Sequence, residues 1–201
     1  MQHQKNEYEI LVLPIEYNKS FFDLSGEEIA SYYQWFLKIK GERLKKLCEF
    51  LFRTQGICLK ESNLNVIEIF MLNSITVFAK PKDQINTEMG KVPSQFKPFV
   101  FPADYVLDKK TISVCYDIGI FLGELIISLD NKIKWELETN DEYSDFGQPV
   151  LTKRNSKLSI NPFTVTKNMA TKIYEGRYSD GQIISAFNAW KKGFKVSNVS
   201  N

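Results

Sequence analysis

The sequence predicts an α+β fold: a helix-dominated single domain with a small, mainly antiparallel sheet. Three observations carry this expectation. Ser25 with Glu28 three residues on forms a capping box that opens a long helical stretch. Residues 111–129, TISVCYDIGIFLGELIISL, are apolar around most of the helix circumference, the pattern of a buried central helix. Residues 132–138 alternate strictly, with Ile133, Trp135 and Leu137 on one side and Lys134, Glu136 and Glu138 on the other, the pattern of a half-buried strand.

Length and composition set the frame. The chain has 201 residues, which suits one domain, residues 1–201. It is 43% hydrophobic and 25% charged, so it can bury a core and does not read as disordered. A Pro-rich loop at residues 80–110 is expected to join an N-terminal helical part, 8–79, to a C-terminal helix-sheet-helix part, 111–193. Pro81, Pro93, Pro98 and Pro102 lie in it.

Taken in order, residues 8–13, YEILVL, predict a short strand ending at Pro14. From Ser25 onward, Ile29, Tyr32, Tyr33, Phe36, Leu44, Leu47 and Leu51 recur at helical spacing. Gly41 interrupts the apolar face, so the stretch reads as two helices in tandem or one helix kinked there, ending before Gly56. Lys38, Lys40, Arg43, Lys45, Lys46 and Arg53 fall on it and read as a solvated face, with an anionic-ligand surface as the functional alternative. Residues 62–72 favour a helix, while 74–79 fit helix and strand equally. Gln148 to Thr152 and Lys157 to Ile160 predict further strands beside Trp135. Asn161-Pro162 signals a helix start, and that helix runs to about Glu175 and stops at Gly176. Asp180 is expected to cap a last helix carrying Ile183, Ile184, Phe187 and Trp190 on its apolar side.

Charge and chemistry narrow the function classes. A net charge of +2 lacks the basic excess of a dedicated nucleic-acid binder. The sole histidine, His3, lies in a polar N-terminal segment, which argues against a histidine-based triad or a His-rich metal site. Cys48, Cys58 and Cys115 sit among apolar residues without C-x-x-C spacing and read as buried thiols in a reducing compartment. No phosphate loop or dinucleotide fingerprint occurs, so no cofactor and no metal is expected. The start of the chain has no signal-like apolar run, and the most apolar stretch, 118–127, is too short for the ~20 residues of a membrane span. The expected location is the cytoplasm, without a membrane.

The motifs YYQWFLKIKGERLKKL (32–47), DIGIFLGE (117–124), the strand with Trp135, GQPVL (147–151) and NPF (161–163) together resemble a scattered family of uncharacterised bacterial proteins. The resemblance covers about two thirds of the chain. Phe121 stands where that family often has Tyr, and Gly41 where Pro is common. The resemblance implies no activity. Some relatives look like immunity or accessory proteins of bacterial toxin systems.

Two functional readings follow. The first is a non-catalytic protein-binding module that meets a basic protein partner through the acidic segment Glu136, Glu138, Asp141, Glu142 and Asp145. The second is a carboxylate-based, metal-dependent enzyme centred on Glu124, with Asp117 as its companion. These two lie seven apart on one helix, about 10.5 Å along it. On the structural alternative, Glu124 is buried and bonded to a donor such as Lys, Arg or the Trp135 indole, and Asp117 pairs with a cation.

Overall fold

The computed structural model describes residues 8–14, 20–53 and 58–196. His3 and Gly56 lie outside the described residues. Helix α1 spans Gly26–Phe52. Its capping box is complete: the Ser25 hydroxyl accepts from the Glu28 amide, and the Glu28 carboxylate accepts from the Ser25 amide at 2.7 Å. No break occurs at Gly41. A glycine costs a helix about 1 kcal/mol against alanine, and the buried Arg43, Leu47 and Cys48 hold the turns that follow it. The helix ends at Arg53, which takes the left-handed conformation at φ 49°.

Cys48 and Cys58 form a disulfide, which corrects the expectation of free thiols; Cys115 alone stays reduced and buried. The return of the chain after α1 brings the two Cα atoms to 5.9 Å, a separation that spacing along the sequence does not reveal.

Helix α2 spans Leu64–Leu72, and strand β1, Val77–Ala79, follows it. The ambiguous residues thus end in a strand. β1 pairs antiparallel with β2, Tyr105–Leu107, with Phe78 opposite Val106. Between them the expected loop contains a helix, α3, Lys82–Lys91. Asp83 in its first turn and Lys91 in its last suit the helix dipole. It buries no residue, so it carries no apolar period for the sequence to display. Pro93, Pro98 and Pro102 keep the remainder irregular apart from one short turn at Lys97–Phe99.

Helix α4, Lys109–Leu129, starts inside the expected loop because Asp108 caps it, accepting from the Thr111 amide at 2.6 Å. Fifteen of its 21 residues are buried. By length and composition alone α4 could cross a membrane, more than the ten-residue apolar stretch suggested; its side chains are instead mostly enclosed by α1, α2 and the elements that follow.

Strands β3, Ile133–Leu137, β4, Pro149–Lys153, and β5, Ser159–Ile160, form an antiparallel sheet in the order β3-β4-β5. Trp135, Leu151 and Ile160 form one buried row across it. Helix α5, Pro162–Tyr174, is capped by Asn161, whose Oδ1 accepts from the Phe163 and Thr164 amides. Helix α6, Gln182–Gly193, is preceded by Gly181 at φ 82°, not by an Asp180 cap. Only glycine takes that backbone without strain, so the turn, rather than a side chain, sets the start.

Residues 8–13 join no sheet, contrary to the expected strand. Their polar groups bond to side chains of α4 and α1 instead: the Leu11 amide donates to Ser113 Oγ at 2.8 Å, the Tyr8 hydroxyl to Asp117 at 2.6 Å, and the Glu9 carbonyl accepts from Arg43 at 2.9 Å. Together these elements make one α+β, helix-dominated domain built around α4.

Candidate functional site

Asp117 and Glu124 both project from α4, and each meets cations of α1. Asp117 is fully buried. Arg43 grips it with Nε at 2.8 Å and Nη2 at 2.6 Å, and the Tyr8 hydroxyl donates to the same carboxylate. Arg43 Nη2 also reaches the Glu9 carbonyl at 2.9 Å and Ser113 Oγ at 3.3 Å. The guanidinium carbon lies 5.9 Å from the centre of the Tyr8 ring. Burial raises the Asp117 pKa above the ordinary carboxylate value, and the bonds and charge of Arg43 oppose it without cancelling it. Burial also works against the Arg43 charge, but bonding and attraction to Asp117 prevail and raise its pKa.

Glu124 keeps 18% of its side chain exposed. Its Oε1 accepts from Lys40 Nζ at 2.6 Å and from Trp135 Nε1 at 2.9 Å. These are two of the donors expected for a structural role. Lys40 and Arg43, three apart, lie on one face of α1, so the basic run is not wholly a solvated face: these two turn inward to the two carboxylates.

The two glycines of α4 explain the rest of this packing. A Cβ on Gly119 would meet Phe163 Cδ1 at 2.7 Å, and one on Gly123 would overlap the Trp135 indole. Phe36 packs edge-on against Trp135 at 4.9 Å and against Phe163 at 5.6 Å. Trp135 and Phe163 are near-parallel at 11°, as are Tyr116 and Phe163 at 10°. The motif residues scattered from 35 to 163 thus converge on one interlocked patch of core.

The acidic segment does not act as a unit. Glu136 pairs with Lys134 at 2.6 Å and accepts from the Thr152 hydroxyl, and its pKa is lowered by the Lys134 hydrogen bond first. Glu138 accepts from the Asn140 amide at 3.0 Å. Asp145 accepts from Asn161 Nδ2 and Thr164 Oγ1, so it ties the turn to the start of α5. Asp141 and Glu142 remain exposed, beside the exposed Tyr143. Among the described residues, no three or more His, Cys, Asp or Glu side chains group to hold a metal ion.

Two features escaped the sequence reading. Glu68, on α2, is buried and accepts from the Tyr178 hydroxyl and the Ile183 amide, a tie between distant parts of the chain that no local pattern marks. Residues 75–110 contain no buried residue, yet Phe78, Phe96, Phe99 and Phe101 are exposed there. The signal was present as FKPFVF, whose three phenylalanines fit neither helical nor strand alternation. No family model, curated protein or solved structure matches the chain.

Proposed function

We propose that the chain is a non-catalytic protein-binding module. The observation that carries this reading is the surface of residues 75–110. Phe99 and Phe101 are 77% and 88% exposed, and Phe78 and Phe96 stand out with them. Large apolar side chains grouped on a segment that buries none of its own residues favour a partner surface. The exposed Asp141 and Glu142 supply negative charge at a separate turn, which suits a basic partner and speeds encounter. A role as an immunity or accessory protein of a bacterial toxin system falls within this reading, because stoichiometric binding needs no reactive group.

The alternative, a metal-dependent enzyme centred on Glu124, has to seat its ion beside the Lys40 ammonium, with Oε1 already taken by Lys40 and Trp135. The test is photo-crosslinking from a probe at the exposed position 97 in the native host, carried both by the otherwise unaltered chain and by the Phe99→Ser/Phe101→Ser variant. A discrete adduct that the variant no longer forms, at unchanged melting temperature, is the expected result. Equal capture by both proteins removes this surface from consideration.

A further inference from the structure

The outer face of the β3-β4-β5 sheet carries a second feature, independent of the phenylalanine surface. Lys134, Thr152 and Ser159 lie opposite one another across the three strands, one residue along from the buried Trp135-Leu151-Ile160 row. Alternation puts this polar row on the solvent side. The β4–β5 connection rises beside it through Asn155, in the left-handed conformation at φ 65°. Together they bound a cleft of about 760 Å³. That is within the range of small-molecule sites, about 300–1,000 Å³.

The lining is strongly basic: Lys132, Lys134, Lys153, Arg154 and Lys157 face it, and Glu136 is its one acid. Glu136 neutralises Lys134, and Asp130 neutralises Lys153 at 2.8 Å. Lys132, Arg154 and Lys157 make no ion pair among the described residues, although the Lys132 charge is felt by Asp130. A cleft with this excess of cations suits a multiply charged anion. Leu158 is the only apolar residue of the lining, and no aromatic ring is present to stack on a base. We propose that this cleft binds an oligophosphate chain, either free or carried by a nucleotide, and recognises the phosphates rather than the base. Arg154 supplies a planar fork for phosphate oxygens, and the lysines supply mobile point charges.

Isothermal titration of the full chain with inorganic tripolyphosphate and with ATP, each at 50 and 200 mM salt, tests this. The variant Arg154→Glu/Lys157→Glu removes two exposed cations of the cleft, and Lys109→Glu/Lys110→Glu makes the same charge change at the start of α4. The expected result is tripolyphosphate binding that weakens with salt, falls at least tenfold in the cleft variant and persists in the control. Affinity for tripolyphosphate equal to or above that for ATP sustains recognition of the phosphates, whereas a tenfold preference for ATP means that the nucleoside is read and overturns it. No binding of either ligand, or equal loss in both variants, overturns it. So does binding of a single-stranded oligonucleotide without binding of tripolyphosphate. Circular dichroism of the cleft variant separates a lost site from a lost fold.

Discussion

The indole nitrogen of Trp135 donates to Glu124 Oε1 at 2.9 Å, while the six-membered ring of the same side chain rests on Gly123, the residue before that glutamate. One side chain on β3 therefore reads two successive residues of α4. The glycine lets the strand approach, and the carboxylate fixes the angle of the ring. Lys40 closes the arrangement from α1. The carboxylate that looked most suited to chemistry thus serves as a junction of helix, helix and sheet.

Substituting the glycines should separate close packing from helix propensity. Gly41 has nothing within 4 Å of an added Cβ, so Gly41→Ala should stabilise by about 0.5–1 kcal/mol. Gly123→Ala should destabilise by about 1–3 kcal/mol, since Trp135 cannot retreat without losing its bond to Glu124. Gly119→Ala should fall between them. Urea midpoints measure the order, and a stabilised Gly123→Ala variant contradicts the packing described.

For Glu124, the amide substitution keeps the shape and one acceptor. Glu124→Gln should cost about 1–2 kcal/mol. Glu124→Ala should cost more, because Trp135 loses its acceptor and space opens beside the ring. Fluorescence-detected unfolding reports both values. An alanine variant as stable as the parent argues against the junction and returns Glu124 to the candidates for chemistry.

Much of this framework was legible before any coordinates. The capping box, the apolar helix, the alternating strand and Asn161-Pro162 each state their structure within a few residues, and each element is present. The donors for Glu124 were also within reach, because a carboxylate among Ile, Phe and Leu demands them. What could not be read was set by distant contacts. YEILVL has strand composition, but its hydrogen-bond partners are side chains of α4 and α1. Asp145 looks like part of an acidic patch, yet Asn161 and Thr164 claim it. Arg43 resembles its basic neighbours until Asp117 is placed opposite. Helix α3 lacks an apolar stripe because it packs into no core.

Acid should loosen the contact between the end of α4, β4 and the end of α6. The Asp130 pKa is lowered, first by the hydrogen bond from Lys153 Nζ and then by the Lys132 amide. Lys153 also donates to the Phe194 carbonyl at 2.6 Å. A carboxylate with a depressed folded-state pKa contributes stability above its unfolded value, about 3.9, and loses it as pH falls through the folded value. Unfolding free energy measured from pH 6 to pH 2.5 should therefore fall more steeply in the parent than in Asp130→Asn. Parallel curves would show that the pair contributes nothing.

The cysteines make a chemical prediction. Denatured, unreduced protein should titrate one thiol, Cys115, and reduced protein three. In the folded state Cys115 should resist alkylation, since burial pushes its pKa up to about 12. Closing the short loop between Cys48 and Cys58 should contribute about 3 kcal/mol in the chain-entropy description. Reduction followed by a urea titration measures that difference, and three thiols in the unreduced protein would exclude the bond.

The Arg43–Asp117 pair is the sharpest case, because both groups are buried and two hydrogen bonds join them. Removing one partner strands the other in a medium that cannot solvate it. Asp117→Ala should cost about 3–5 kcal/mol, as should Arg43→Ala. Removing both charges with apolar residues of similar size, Arg43→Met with Asp117→Leu, eliminates the desolvation cost as well as the attraction. The double variant should therefore be markedly more stable than either single alanine variant. Tyr8 keeps a role in this comparison. Its hydroxyl pKa is raised, first by burial and then by the Asp117 charge, so it stays a neutral donor and loses its acceptor in every Asp117 variant. Tyr8→Phe in the double-variant background should thus recover further stability, whereas in the parent it should cost about 1 kcal/mol. A double variant no better than the singles would mean that the pair supplies net stability beyond what packing can replace.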